Sequence, residues 1–297
     1  MNQHPPRSVA LHIGAHKTAT THLQRSFVMQ QDALIRAGLR YYGPDTLRRP
    51  KRGLGDLYGL DAYRRQTFPT RTREEQRDFM FKDGHRLILS DENFVGVLHN
   101  KAGNMLSPLY PRAEARVQGL AEAIDVGPVD VLIGLRNPAT FLVSAYGQAI
   151  MGGQLSSFED YIARNPLPQI YWPGLVARLR QCSGVGRIIV WRFEEYRWRF
   201  HKICAAMMGD HVDMRIRPLP KKVHLGLSNA AVAHVLAHLD TVDAATLGEQ
   251  ARKAYPVSEA HPAFAPFAPD EIAAATADYD RQIAEISDIA GVTFLRP

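Results

Sequence analysis

Short apolar runs, each stopped by a glycine, proline or charged residue, alternate along the chain with stretches in which apolar positions recur every three or four residues. The first run, Val9–Ile13, ends at Gly14, and Leu23, Phe27 and Leu34 then follow at spacings that share one helical face. Gly38–Tyr42 (closed by Gly43-Pro44), His85–Ser90, Val129–Leu135 and Gly186–Phe193 read as further strands. Helical periodicity predicts helices over Arg112 to Ile124, from Pro138, over Ser157 to Arg164, over Tyr171 to Gln181 and from Glu194 to about Met208. Ser228 is placed to cap another helix, carrying Val232, Val235, Leu236 and Leu239. A last one starts at Pro269-Asp270 with Ile272, Tyr279, Ile283 and Ile286 on one side. Strands alternating with helices, without internal repeats, predict an α/β fold. Its form is a three-layer sandwich, with a central, mainly parallel sheet flanked by helices. One domain spans 1–297, with variable segments at about 43–84 and 94–111 and a helical C-terminal part at about 228–297, in which Tyr255–Pro269 is a wrap. In such a sheet the loops after Ile13, Ser90 and Leu135 converge at the carboxyl ends of the strands.

The loop after the first strand changes the picture most. Strand, tight turn and helix leave backbone N–H groups and a helix dipole aimed at an anion. Gly14 allows the turn, Lys17 adds a mobile charge, and Thr18, Thr20 and Thr21 add hydroxyls. That is phosphate-binding chemistry, P-loop-like but without the Walker A spacing, because Lys17 lies three residues after Gly14 with no second glycine before it. Gly14-x-x-Lys17-Thr18-x-Thr20-Thr21 resembles the 5′-phosphosulfate loop of the sulfotransferase superfamily, whose donor is 3′-phosphoadenosine 5′-phosphosulfate (PAPS). The family usually has glycine where this chain has Ala19, and a positive φ is disfavoured for alanine.

Two further landmarks follow in the order the family has them. Arg136-Asn137-Pro138, with Ser144 eight residues after the arginine, resembles the 3′-phosphate motif; many members have a second arginine where this chain has Phe141. Phe193-Glu194-Glu195 is similar to the family's Tyr-Glu-Asp run. The resemblance covers about Val9 to Glu195 and implies transfer of a sulfuryl group from PAPS to a hydroxyl or amine. Gly14, Ala15, His16, Lys17, Thr18, Ala19, Thr20 and Thr21 would hold the phosphosulfate, and Arg136 and Ser144 the 3′-phosphate. Phe193 is a candidate for stacking on adenine, and Lys17 would meet the charge growing on the leaving oxygens. Members use a histidine or a glutamate as base. Glu92, at the end of the Leu87–Ser90 strand, is the first candidate, with a pKa that desolvation would raise; His16 and then His99 are rivals. The scheme needs no metal. The basic loop Lys221-Lys222-Val223-His224 could close over the nucleotide or be a solvated loop.

Composition narrows the remaining classes. The formal charge of +6 suits an anionic ligand, but the cations are spread along the chain, and the densest patch (Arg48, Arg49, Lys51, Arg52) is no nucleic-acid module. Cys182 and Cys204 are the two cysteines, too few for a disulfide framework or a zinc set, so a reducing, cytoplasmic setting is expected. No run approaches the ~18 apolar residues of a membrane helix. The expected partner is a small-molecule, glycan or lipid acceptor. A P-loop-type kinase using ATP and magnesium, or a non-catalytic PAPS- or polyanion-binding protein, stands as the alternative.

Overall fold

The computed structural model of the chain describes residues 6–49, 52–58, 71–210, 212–220, 226–238 and 244–296. Its first half contains β1 (Ser8–His12), α1 (Thr20–Val28), α2 (Gln31–Arg36), β2 (Leu39–Tyr42), α3 (Pro44–Leu47), α4 (Leu54–Tyr58) and α5 (Arg73–Phe81). β3 (Arg86–Ser90), α6 (Ala113–Ile124), β4 (Val129–Leu135) and α7 (Pro138–Met151) follow. Then come α8 (Phe158–Arg164), α9 (Trp172–Arg180), β5 (Val185–Arg192) and α10 (Tyr196–Met208). α11 (Asn229–Ala237), α12 (Ala244–Ala254), α13 (Pro269–Ser287) and β6 (Val292–Phe294) complete it.

The six strands form one sheet in the order β2-β3-β1-β4-β5-β6, parallel throughout. Parallel strands covered on both faces are apolar on both, which is why the strand runs are nearly continuous. The side-chain alternation of each strand divides the interior in two. Leu11, Leu89 and Ile133 point into the larger core, under α6, α7 and α9. Ala10, Ile88, Leu132 and Trp191 point into the other, against Leu23 and Phe27 of α1 and Phe200 and Met207 of α10. The chain crosses from one side of β1 to the other between β3 and β4, so the carboxyl ends of β1 and β4 flank the switch point where such sheets take ligands.

The expected α/β sandwich is therefore present, with local differences. The first helix is broken into α1 and α2. At the break, the Gln30 side chain exchanges two 3.2 Å bonds with the backbone of Arg217, 187 positions away. The segment expected as loops and short helices holds α3, α4 and α5, the last with a Thr72–Glu75 capping box. α12 and β6 have no counterpart in the sequence reading. α12 buries Leu247 and Ala251 and packs on α7 and α11. A Cβ at its Gly248 would stand 3.1 Å from the Ile150 carbonyl, so the glycine permits the close approach to α7. Leu239 and the basic loop at Lys221, Lys222 and His224 lie outside the described residues.

Candidate active site

The loop from Ile13 to Ala19 is fixed to the sheet by its own backbone. Ile13 and Ala15 donate to the carbonyls of Leu132 and Gly134 on β4, each at 3.0 Å, and the Thr18 hydroxyl closes back on the Ala15 carbonyl at 2.6 Å. Gly134 is small for a reason: a Cβ there would lie 2.9 Å from the Trp191 indole nitrogen and 3.1 Å from the Thr18 hydroxyl. Gly14 (φ 54°), Lys17 (φ 66°) and Ala19 (φ 64°) all take left-handed backbone. The alanine thus adopts the conformation that favours glycine, at a cost of about 1 kcal/mol. No side chain caps α1, so its first-turn amides are left to whatever lies in the loop.

Arg136 leaves the end of β4 and reaches the same loop. Its Nη1 donates to the Lys17 carbonyl at 3.0 Å and its Nε to Thr140 at 3.0 Å, while the Trp172 indole N–H holds the Arg136 carbonyl at 2.8 Å. The guanidinium lies 4.4 Å over the Phe193 ring, so one face of that ring is covered by the arginine. Asn137 caps α7, and its N–H donates to Glu194 at 2.9 Å. Phe141, at the position where the resemblance would place a second arginine, is fully buried edge-on to Trp172, with centroids 5.1 Å apart. Its position serves the core.

Lys17, Arg136, Ser144 and Phe193 line one cavity of about 510 Å³, and Arg252 of α12 lines it too. No acidic residue contributes to the lining among the described residues, and no carboxylate there forms an ion pair with the three cations. Burial, then the charges of Arg136 and Arg252, lower the pKa of Lys17, with Glu92 opposing. Burial brings Arg136 down to about 10, still charged at neutral pH. Arg252 is the functional candidate that sequence reasoning missed; the signal was Leu247 and Ala251, four apart on one face just before it.

Beyond the loop, the polar groups are closed on one another. Arg48 bonds Asp91 at 2.8 Å and Glu92 at 2.7 Å, and the Gln24 amide donates to the other Glu92 oxygen at 2.9 Å. Glu92 abuts the loop, its Cβ being 3.4 Å from where a Cβ on Gly14 would stand. Burial raises the Glu92 pKa, but the charge and hydrogen bond of Arg48, with Gln24, outweigh it and hold the carboxyl below its usual range. The upward shift expected beside a bound acceptor would therefore start from a carboxyl that Arg48 already holds down. His16 is buried with both ring nitrogens engaged. The Tyr110 hydroxyl accepts from the His16 backbone N–H at 3.1 Å and donates to Nδ1 at 2.9 Å, while Nε2–H donates to Asn93 at 2.9 Å. Desolvation lowers its pKa and keeps it neutral. His99 meets the Tyr161 hydroxyl at 2.7 Å and is lowered to about 4, first by burial and then by His16. Of the three candidate bases, Glu92 abuts the loop and His16 lies within it, and each of the three is held by a neighbour.

Among the described residues there is no group of three or more metal-ligating side chains, and no helix is long and apolar enough to cross a membrane. No family model matches the chain, and no curated protein matches its sequence. A solved structure of a sulfotransferase from Alicyclobacillus acidocaldarius is similar over 74% of this chain and 87% of its own, at 18% identity and a TM-score of 0.44, too distant to assign an activity.

Proposed function

We propose that the protein is a sulfotransferase that moves a sulfuryl group from PAPS to a hydroxyl or amine of a small-molecule, carbohydrate or lipid acceptor. One observation carries the reading: Lys17, Arg136 and Arg252 share a cavity of about 510 Å³ with no carboxylate in its lining among the described residues, beside a helix start that no side chain caps. Glu92 near Lys17 and Glu194 near Arg136 offset part of the repulsion among these cations, and an anionic ligand in the cavity relieves the rest. A nucleotide with phosphates at both ends fits this donor set.

When bound, the donor supplies the sulfuryl group, and its bridging oxygen keeps the electron pair as the group departs. The first-turn amides of α1, with Thr20 and Thr21, hold the phosphosulfate end. Lys17 stands where charge grows on the leaving oxygens. Arg136, Ser144 and Arg252 hold the 3′-phosphate, Arg252 taking the part that Phe141 cannot. Phe193 holds the guanidinium of Arg136 in place and offers its remaining surface to the nucleotide. Glu92, ionised at neutral pH, accepts the acceptor's proton, and its charge also favours the protonated form of Lys17. His16, with both nitrogens used, positions the loop through Tyr110 and Asn93 rather than moving a proton.

Calorimetric titration of adenosine 3′,5′-bisphosphate, with 5′-AMP as control, tests the reading on the wild type and on Lys17→Ala, Arg136→Ala and Arg252→Ala. Binding that needs the 3′-phosphate and both arginines is expected. Equal and weak binding of the two nucleotides overturns it.

A further inference from the structure

The donor cavity is cationic on one side and apolar on another. Lys17, Arg136, Ser144 and Arg252 are the groups proposed for the phosphates, but Val143, Met151, Leu227, Val232 and Phe264 line the same space. Val143, Gly147 and Met151 follow one another at four-residue steps, so they form a single stripe that runs about 12 Å along α7. Opposite the stripe, Leu227 and Val232 are buried side chains at the start of α11. The Phe264 N–H donates to the Leu227 carbonyl at 2.9 Å and the Asn229 N–H to the Pro262 carbonyl at 3.0 Å, which straps residues 262–264 onto that start. The Phe264 ring also packs against Tyr146 and Phe158, with centroids 5.6 Å apart in each pair. The apolar wall is thus formed by the fold itself and needs no ligand to assemble it.

Gly147 keeps this wall open. It lies inside α7, where glycine is less favourable than alanine. A Cβ at Gly147 would meet only Leu227, at the ordinary contact distance of 3.9 Å, so no close approach among the described residues demands a glycine. The side chain left out is room in the cavity.

The chemistry of the wall selects its occupant. None of its five side chains offers a strong hydrogen bond. The Tyr146 hydroxyl is committed to the Ser156 carbonyl at 2.8 Å, the Leu227 carbonyl is taken by Phe264, and the polar Gln148 is exposed. A sugar hydroxyl or the edge of a base placed against the wall would lose water without gaining a partner, whereas a hydrocarbon surface gains by burial. Because Lys17 lines the same cavity, a molecule on the wall shares its open space with the phosphate loop.

We propose that this wall seats the body of the acceptor, so that the acceptor is an apolar hydroxyl compound, with its hydrocarbon skeleton along α7 and its hydroxyl toward Lys17, rather than a sugar. The proposal rests on the reading that Lys17 and Arg136 hold the sulfuryl donor.

The test titrates 1-octanol and 2-naphthol, with glucose as the sugar control, into the whole chain saturated with adenosine 3′,5′-bisphosphate. Binding is followed by ligand-observed NMR. At least one of the two apolar probes is expected to bind about tenfold or more tightly than glucose. Gly147→Leu fills the stripe with a good helix former; it should weaken that probe by about tenfold or more and leave nucleotide affinity unchanged, which also shows that the variant is folded. Gly147→Ala intrudes less and should fall between. The proposal is overturned if glucose binds as tightly as both probes, or if the preference survives Gly147→Leu. It is equally overturned if nucleotide expels the probes or if Gly147→Leu weakens the nucleotide as well, because the wall would then belong to the nucleotide. Should the nucleotide itself fail to bind the wild type, the donor reading fails, and the same titrations on nucleotide-free protein decide the wall alone.

Discussion

Two neighbouring regions at the carboxyl ends of the strands handle charge in opposite ways. In the cavity between β4, α7 and α12, three cations face one another with no acid in the lining among the described residues. At the end of β3, a single arginine, Arg48, closes on both Asp91 and Glu92, and Gln24 takes the oxygen left over. The second region pairs its charges within the fold; in the proposed function, an anion does the same for the first. Charge matched inside the fold sets the state of a group, as Arg48 keeps Glu92 ionised, whereas cations gathered without an acid in a cavity lining suit an anionic ligand.

The largest expected effect breaks the closed region. Glu92→Gln should lower turnover by roughly 10²–10⁴-fold while leaving nucleotide affinity nearly intact. Undiminished turnover would place the base elsewhere and leave Glu92 as only the partner of Arg48. Lys17→Ala removes the cation at the leaving oxygens and should lower kcat by about 10²–10³-fold. A change confined to KM would mean that Lys17 only binds. Arg252→Ala should weaken adenosine 3′,5′-bisphosphate by roughly 10–100-fold, as expected for a charged hydrogen bond, and 5′-AMP much less. Equal losses for both nucleotides would move Arg252 away from the 3′-phosphate.

Below both regions, His12 is buried against Trp191 and bonded to Ser90 at 2.7 Å, and burial lowers its pKa to about 4. The unfolded chain binds this proton near pH 6.5 and the folded one only near pH 4, so the neutral ring's stabilisation is full above 6.5 and lost as pH falls toward 4. The loss is on the order of 3 kcal/mol. Thermal melts between those limits should show the slope, and His12→Gln should reduce it, leaving the share of His16 and His99, whose pKa values burial also lowers. The smallest effect is expected from Ala19→Gly, which relieves the left-handed strain and should raise stability by up to about 1 kcal/mol with nucleotide binding kept. A lower melting temperature would show that Ala19 holds the loop rather than straining it.

Much of the candidate site was legible because its parts are local. Gly14 to Thr21 is a strand–turn–helix unit whose chemistry can be read from neighbouring residues. Arg136 and Asn137 follow a run apolar enough to be a buried strand without any partner being known. Other features were not legible. Nothing beside Glu92 in the chain announces Arg48, and this distant partner reverses the shift that burial alone would give. Nothing near Phe141 says that Trp172 claims it, or that Arg252 stands across the cavity instead. His16 looks free in sequence and is fully engaged in space.

By itself, then, the sequence determined the alternating strands and helices, the parallel sheet they require, and the loop with Lys17 at the end of β1. Periodicity and turn chemistry act over a few residues, so they can be read from those residues. Only the tertiary structure decided which charges meet. Lys17 and Arg136 are 119 positions apart, and Arg48 and Asp91 are 43 apart. Coulomb energy and desolvation depend on distance in space, which the order of residues does not state.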